Sequence, residues 1–293
     1  MLSWRLLLGT LIIGALAGLC WLDHHSASPG IWLMPLAVAF ALLASGEVLY
    51  LANAGGMQPL PWAVYLGNLG LVLSNWASWF RPGAHQAGSG TVALDWVLFA
   101  LGAGVLLIFL GEMQRYQKPG RTLVHLAAAV FGLVYVGVLL SFVVELRMTW
   151  GIGALASLVI VVKLGDIGAY TVGRLIGRHK LAPVLSPGKT IEGAFGALAL
   201  ACLGSWATFH WLVPALMPNA PPTLWWGWIG FGLLVGIAGL LGDLAESLIK
   251  RDVGCKDSSQ WLPGFGGVLD ILDSILLAAP VAWLCWATGL VAH

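Results

Sequence analysis

Residues 122–144 read TLVHLAAAVFGLVYVGVLLSFVV, a stretch without aspartate, glutamate, lysine or arginine. About 20 apolar residues in an α-helix cross a bilayer core of about 30 Å, so this stretch predicts a membrane-spanning helix. Across all 293 residues, 59% are hydrophobic and 9% are charged, whereas a soluble globular protein carries about 25% charged residues. This composition excludes a soluble enzyme, a disordered protein and a protein that binds nucleic acid through a broad basic face.

Further apolar runs on both sides of this stretch bring the number of candidate spans to nine. They are 4–22, 31–51, 62–80, 94–112, 122–144, 151–165, 192–212, 225–243 and 268–290. The sixth is short because Lys163 and Asp166 limit it. The runs are continuous and do not alternate between apolar and polar residues, which is typical of membrane helices and not of barrel strands. We therefore predict an all-α polytopic membrane protein with about nine transmembrane helices.

The basic residues fall almost entirely on one side of these nine spans. That side receives Arg5, Arg115, Lys118, Arg121, Lys163, Arg174, Arg178, Lys180, Lys189, Lys250, Arg251 and Lys256. Only Arg81 and Arg147 fall on the other side. Because cytoplasmic loops carry an excess of lysine and arginine, we expect the N-terminus in the cytoplasm and the C-terminus outside.

Most of the charged side chains lie in the second half of the chain. Asp243, Glu246, Ser247 and Lys250 are spaced so that they share one face of a helix. Such a polar stripe near lipid is costly unless something compensates for it. Carboxylate oxygens with few histidines or thiols near them favour a hard cation such as Mg²⁺, which proteins usually share with substrate phosphates. The pattern predicts a metal–phosphate site, and its alternative is a set of ion pairs at helix ends that face lipid headgroups.

Three other features have simpler explanations. The four cysteines are scattered, and the three that fall in or near apolar runs are expected to be small buried hydrophobic residues and not disulfide partners or metal ligands. Glu47, inside the second span, is explained equally well by a helix–helix hydrogen bond, a water-facing position or a function. Gly188-Lys189-Thr190 is similar to the end of a Walker A loop, but Val184 stands where that loop needs glycine, and we expect no strand before it.

The polar residues of the second half resemble the signature of the phosphatidate cytidylyltransferase (CDP-diacylglycerol synthase) family. The signature reads S-x-x-K-R-x-x-x-x-K-D, a glycine-rich turn and D-x-x-D, and two elements before it read D-x-x-A-Y-x-x-G and S-P-x-K-T-x-E-G. The run G-D-L-x-E-S, which ends on the first serine of the signature, also matches at Gly242 to Ser247. The other matching residues are Asp166, Ala169, Tyr170, Gly173, Ser186, Pro187, Lys189, Thr190, Glu192, Gly193, Lys250, Arg251, Lys256, Asp257, Gly266, Gly267, Asp270 and Asp273. Phe265 and Ile271 depart from the histidine and the arginine that the family commonly has there.

The resemblance implies that CTP and phosphatidate react to give CDP-diacylglycerol and pyrophosphate in phospholipid biosynthesis. It implies an integral protein of the bacterial inner membrane whose active site faces the cytoplasm. The expected organisation is one membrane domain over 1–293, with N-terminal spans over 1–150 and a catalytic portion over 151–293. The expected partners are the two substrates and membrane lipid, with no nucleic acid. The oligomeric state is open, and a homodimer is one alternative.

The resemblance also implies roles for single residues. Asp243, Asp270 and Ser247 are expected to bind Mg²⁺, with K⁺ as a second ion beside it. Lys250, Arg251 and Lys256 are expected to neutralise phosphate charge, which completes the catalytic set. The expected substrate-binding residues are Asp166, Lys189, Thr190, Glu192, Glu246, Asp257 and Asp273.

Two other functions remain as alternatives. A CTP-dependent kinase of a polyprenol or related lipid alcohol would have a similar architecture but would release CDP. An ion-coupled transporter would place its charges near the membrane midplane, whereas the charges here cluster at one membrane face. A CDP-alcohol phosphotransferase is disfavoured because its D-G-x-x-A-R run is absent.

Overall fold

The computed structural model describes residues 2–77, 91–218, 220–256, 258–259 and 266–291. The helices in this part of the chain are α1 (Leu2–His24), α2 (Met34–Ala54), α3 (Pro61–Ser74), α4 (Thr91–Arg115), α5 (Thr122–Gly132), α6 (Leu139–Glu145), α7 (Ile152–Ile176), α8 (Ile191–Ala207), α9 (Val213–Leu216), α10 (Trp225–Asp252) and α11 (Leu269–Ala287). Strands β1 (Lys180–Ala182) and β2 (Ser186–Thr190) lie between α7 and α8. Three π-helical segments, Leu133–Val138, Leu146–Trp150 and Thr208–Leu212, continue the helices that precede them.

Seven helical stretches in the described part of the chain are long and apolar enough to cross a membrane. They are Met34–Ala54, Asp95–Arg115, Thr122–Trp150, Ile152–Ile176, Ile191–Leu216, Trp225–Asp252 and Leu269–Ala287. The predicted all-α polytopic membrane fold is therefore confirmed. The first predicted span corresponds to α1, a helix of 23 residues, and the third to α3, which has 14 residues. The predicted number of nine spans and the predicted orientation stay predictions.

The predicted ends of the sixth and eighth spans are wrong, since the eighth was expected to end near residue 243 and α10 continues to Asp252. The sixth span was expected to end near residue 165, but α7 continues to Ile176. Lys163 and Asp166 do not end the helix because they pair along it, with Lys163 Nζ 3.0 Å from Asp166 Oδ2. The glycines that follow also suit the helix, since a side chain at Gly168 would collide with the backbone of Gly196 on α8. These glycines allow two helices to approach closely, as small residues do in membrane proteins.

The chain forms two compact units. The first consists of Met1–Ile152 and Asp257–Ile271, and the second of Gly153–Lys256 and Leu272–His293. In the first unit, a core cluster joins α2, α3, α4, α5 and the π-helical segment that follows α5. Its buried members are Leu49, Ala63, Val64, Leu71, Val97, Ile108, Ala129 and Leu133.

Polar side chains also join helices inside the first unit. Asn68 Nδ2 donates to Ser45 Oγ at 2.7 Å, and Asn75 Nδ2 donates to Ser141 Oγ at 3.2 Å. All four of these residues are buried. The first bond joins α3 to α2, and the second joins the C-cap residue of α3 to α6. Such bonds hold helices together where lipid offers no competing partner.

A buried ion pair ties the end of α1 to the end of the Thr122–Trp150 stretch. Arg147 Nε lies 2.6 Å from Asp23 Oδ2, and the Asp23 carboxylate also accepts from the backbone N–H groups of Gly30 and Trp32. Asp23 is 0% exposed. This pair holds the connection between α1 and α2 against the end of the Thr122–Trp150 stretch.

In the second unit, α8 packs closely against α7 and α10 through glycines. A side chain at Gly232 on α10 would collide with the backbone of Cys202 on α8. The antiparallel hairpin β1–β2 pairs Lys180 with Thr190 and Ala182 with Ser186. The expectation of no strand before residues 188–190 is therefore wrong, because these residues are themselves the end of a strand. Thr190 caps α8 by accepting from the Gly193 N–H at 3.1 Å.

Candidate active site

In the second unit, strand β2 places a lysine against a carboxylate of α10. Lys189 Nζ lies 2.8 Å from Asp243 Oδ2. The Lys189 side chain is 17% exposed, and that of Asp243 is 38% exposed. The pair is thus partly open, and both partners belong to the set that was predicted from the sequence.

Helix α11 brings a second carboxylate to the same place. A methyl group at Gly242 would lie 2.5 Å from the carbonyl oxygen of Asp273 and 3.0 Å from Ser274 Cα. The residue before Asp243 thus touches the backbone of α11, and Asp273 is buried beside it. The charged groups that act on Asp273 are Asp243, Lys163 and Asp166.

Helix α7 completes this cluster. Asp166 pairs with Lys163 through its Oδ2 atom, and Ser274 Oγ on α11 donates to its Oδ1 atom at 3.4 Å. We call the six residues the acid–base cluster: Lys163, Asp166, Lys189, Asp243, Asp273 and Ser274. It combines three carboxylates with two ammonium groups, so it can bind both a cation and a phosphate. Lys163 was not among the predicted site residues, although it stands three positions before Asp166.

Glu246, Ser247 and Lys250, the other members of the predicted polar stripe, lie on α10 with Asp243, as their helical spacing predicted. Glu246 is 1% exposed, and it accepts from Lys250 Nζ at 2.6 Å. Ser247 is half-buried, and Arg251 and Lys256 are exposed. Arg251 reaches the hairpin turn, where its Nε lies 3.4 Å from the carbonyl oxygen of Leu185. Lys250 is therefore held within the helix, whereas Arg251 and Lys256 are accessible.

Glu192 closes the loop between α7 and the hairpin. Its carboxylate accepts from the backbone N–H groups of Arg178 and His179, and it lies 2.6 Å from His179 Nδ1. Thr190 uses its hydroxyl as the cap of α8. Thr190 and Glu192 were both predicted to bind substrate. The structure places them beside the hairpin that carries Lys189, where they stabilise its connections to α7 and α8.

Asp270 belongs to the first unit, where it accepts hydrogen bonds at the start of α11. Its Oδ2 atom receives Ser258 Oγ at 2.6 Å, Gly267 N at 2.6 Å and Ser258 N at 3.2 Å. Gly266 has φ of 81°, a conformation that favours glycine. Two other residues of the signature discussed above, Asp257 and Phe265, lie outside the described residues.

Sequence reasoning did not assign Glu47, which contacts this same segment. Its carboxylate accepts from Ser258, Ser259, Val268 and Leu269. The signal that could have found it is a lone carboxylate in an apolar span, because an ionisable residue in a membrane helix usually has a specific partner.

The predicted magnesium ligands divide between the two units. Asp243 and Ser247 lie in the second unit and Asp270 in the first, so their joint binding of a metal stays a prediction. In the described part of the chain, no three histidine, cysteine, aspartate or glutamate side chains form a metal-binding group. Magnesium suits this donor set, because it usually binds through one or two carboxylates and completes its shell with water and substrate phosphates.

Comparisons with known proteins cover nearly the whole chain. A model of the cytidylyltransferase family matches residues 3–288. A protein of Mycobacterium bovis named phosphatidate cytidylyltransferase is 33% identical over 96% of this chain and 88% of its own length. A protein of the same name from Synechocystis is 29% identical over 87% of this chain and 88% of its own length. Another from Staphylococcus aureus is 37% identical over 53% of this chain and 56% of its own length.

Proposed function

We infer that this chain, which belongs to the cytidylyltransferase family, transfers the cytidylyl group of CTP to phosphatidate. The products are CDP-diacylglycerol and pyrophosphate. The family predicted from the signature residues is confirmed, and the chain is a nucleotidyltransferase. The observation that carries the choice of site is the contact of Lys189 with Asp243, because it joins two of the family's motifs in one cluster.

The reaction needs no nucleophile from the protein. An anionic phosphate oxygen of phosphatidate attacks the α-phosphorus of CTP, a new P–O bond forms, and the bond from the α-phosphorus to the oxygen of the β-phosphate breaks. That oxygen keeps the electron pair and leaves as part of pyrophosphate. What the protein must supply is orientation of the two substrates and screening of the repulsion between their phosphates.

We propose that Asp243 and Asp270 are the carboxylate ligands of a magnesium ion, with Ser247 as a further oxygen ligand and K⁺ as a second ion. When bound, magnesium would neutralise negative charge on the triphosphate. The partial exposure of Asp243 and the all-oxygen donor set support this assignment. Asp273 is more deeply buried than Asp243, so we assign it to shaping the electrostatic environment of Asp243.

The basic residues divide into two groups by their partners. Lys189 and Lys163 reach the acid–base cluster from β2 and α7, and we propose that they bind phosphate oxygens of CTP. Arg251 and Lys256 are exposed. We propose that they bind the pyrophosphate or the phosphate of the lipid. Lys250 pairs with the buried carboxylate of Glu246. Its proposed role is therefore to neutralise Glu246 and so to keep α10 in position.

The distribution of basic residues along the chain supports a cytoplasmic location for the site. We propose that the acid–base cluster faces the cytoplasm of a bacterial cell at the inner membrane, where CTP is available from water and phosphatidate from the bilayer. Labelling of single cysteines, introduced into a variant that lacks the four native ones, from each side of the membrane tests this orientation. Light scattering of the purified protein in detergent distinguishes a monomer from the homodimer.

The activity is tested by incubating purified protein in detergent with radiolabelled CTP, Mg²⁺ and phosphatidate, and by identifying the lipid product and the released water-soluble product. CDP-diacylglycerol and pyrophosphate are expected in equal amounts. Release of CDP with a phosphorylated lipid alcohol would instead identify a lipid kinase. Asp243→Asn is the matched variant, and we expect it to abolish the Mg²⁺-dependent product.

A further inference from the structure

Glu47 is a buried carboxylate in the middle of α2, a helix that carries none of the family's signature residues. It is 8% exposed. Its Oε1 atom accepts from Ser259 Oγ at 2.9 Å and from Val268 N at 2.9 Å. Its Oε2 atom accepts from Ser258 Oγ at 3.0 Å and from Leu269 N at 2.7 Å.

The four donors belong to the two ends of one segment of the signature. Ser258 and Ser259 stand at its beginning, 211 and 212 positions after Glu47. Val268 and Leu269 stand at its end, where α11 begins, and their N–H groups have no partner within the helix. A carboxylate satisfies such groups and is also favoured by the helix dipole. One side chain of α2 therefore holds both ends of the segment and caps α11.

The glycine before this cap fits tightly against the carboxylate. A side chain at Gly267 would collide with both carboxylate oxygens of Glu47 and with Ser258 Oγ. The second glycine of the signature turn is thus required by the closeness of Glu47 and Ser258. Gly267 therefore lies directly against the Glu47 carboxylate.

The same segment holds Asp270, the proposed metal ligand. Ser258 Oγ lies within hydrogen-bond distance of both Glu47 Oε2 and Asp270 Oδ2, and the Gly267 N–H donates to Asp270. Ser258 and Gly267, which donate to the Asp270 Oδ2 atom, thus also lie against Glu47. The orientation of the Asp270 carboxylate depends on the position of these groups, as metal ligands generally depend on the residues that hydrogen-bond to them.

Glu47 itself is not suited to bind a metal ion or substrate. Each of its oxygens already accepts two hydrogen bonds from the protein, which uses the lone pairs that a cation would need. Its contribution must act through the segment that it holds.

We propose that Glu47 is a positioning residue of the nucleotidyl-transfer reaction, which sets the Asp270 carboxylate for metal binding by fixing both ends of the segment from Ser258 to Leu269. The inference rests on the proposed function, in which Asp270 is a metal ligand. A purely structural Glu47 would change stability but not the metal dependence of the folded enzyme. The test therefore measures metal binding separately from activity.

The experiment compares Glu47→Gln with Glu145→Gln in the full-length protein in detergent. Glu145 is the matched control because it is also a buried carboxylate of the first unit and accepts from Thr149 Oγ1, away from the segment. Binding of Mn²⁺ in the presence of CTP is measured by electron paramagnetic resonance, and the Mg²⁺ concentration for half-maximal activity is measured in parallel. Glu47→Gln is expected to weaken both by about tenfold or more, as loss of a supporting hydrogen-bond partner does at other metal sites. Glu145→Gln is expected to leave both unchanged.

Two further variants keep the outcome decisive. Ser259→Ala removes one donor to Glu47 and keeps the carboxylate. It is therefore expected to fold and to weaken Mn²⁺ binding by a smaller factor. If Glu47→Gln does not fold, Ser259→Ala provides the test. In an Asp270→Asn background, Glu47→Gln is expected to have no additional effect on Mn²⁺ binding. Metal dependence unchanged in the folded Glu47 and Ser259 variants would overturn the inference. Failure of the proposed function is distinct, because the unmodified protein would then form no CDP-diacylglycerol.

Discussion

The ammonium group of Lys189 lies 2.8 Å from a carboxylate oxygen of Asp243, so strand β2 and helix α10 meet through opposite charges. Each of the two residues belongs to a different sequence motif, and they are 54 positions apart (243 minus 189). In this state the lysine neutralises the carboxylate. When a substrate brings a phosphate and a metal ion, the phosphate offers Lys189 a new partner of opposite charge, and the metal ion offers one to Asp243.

Replacing Lys189 with methionine is expected to lower kcat/KM for CTP by about 100-fold or more, because it removes a donor aimed at developing phosphate charge. Lys180→Met is the control, since Lys180 lies on the same hairpin and donates to the Pro187 carbonyl oxygen at 2.7 Å. Steady-state assays with both variants measure the difference. Equal losses in the two variants would show that the hairpin, and not the Lys189 charge, sustains activity.

Adding one methyl group at Gly242 is expected to impair the enzyme more than adding one at Gly239, a single turn earlier on α10. Alanine at 242 would press on the backbone of Asp273 and Ser274, whereas alanine at 239 would make ordinary contacts at 3.7 Å or more. Overpacking of this kind costs about 1–3 kcal/mol, and here it would also displace Asp273 from Asp243. Thermal unfolding in detergent and the rate of CDP-diacylglycerol formation check both effects. Gly242→Ala with normal stability and activity would contradict the observed closeness of the two helices.

The polar residues of α10 illustrate what sequence spacing can predict. Asp243, Glu246, Ser247 and Lys250 were expected on one helix face, and α10 contains all four. The signature motifs could be found because each is a short pattern of residue types. The acid–base cluster itself combines three such patterns, so its members Asp166, Lys189, Asp243 and Asp273 were all identified before their contacts were known.

Other parts of the molecule depend on contacts that no local pattern records. The end of α7 was misplaced because Lys163 and Asp166 look like the end of an apolar run, although their mutual pairing makes them acceptable inside a helix. The hairpin was missed because its strands have three and five residues, too few for a periodic signal. The role of Glu47 depends on donors more than 200 positions away, which sequence spacing does not connect.

Breaking the ion pair between Asp23 and Arg147 is expected to reduce stability strongly without a direct effect on chemistry. Arg147→Met leaves a fully buried carboxylate without its cation, and losing one partner of a buried pair costs about 3–5 kcal/mol. Arg121→Met is the comparison, because Arg121 is exposed and donates to the Gly56 carbonyl oxygen at 3.1 Å, and a surface substitution usually changes stability by no more than about 0.5 kcal/mol. Unfolding measured in mixed micelles gives both values. A loss in Arg147→Met no larger than that in Arg121→Met would contradict the buried pairing.

The neighbouring residues Lys250 and Arg251 are expected to separate stability from catalysis. Lys250→Met removes the cation that lies 2.6 Å from the buried Glu246 carboxylate, so it should destabilise the protein by about 3–5 kcal/mol, and the double variant Glu246→Gln with Lys250→Met should recover much of that loss. Arg251→Met removes an exposed side chain with only long contacts to backbone oxygens, so its stability should change by no more than about 0.5 kcal/mol.

Activity should follow the opposite order in the folded proteins. If Arg251 binds a phosphate of the substrate or of pyrophosphate, Arg251→Met lowers kcat/KM, whereas the stabilised double variant retains most of it. Thermal unfolding and steady-state rates of the three variants provide the measurement. A folded Arg251→Met enzyme with normal kcat/KM, together with an inactive double variant, would assign the phosphate contact to Lys250 and reverse the division of roles proposed for these two residues.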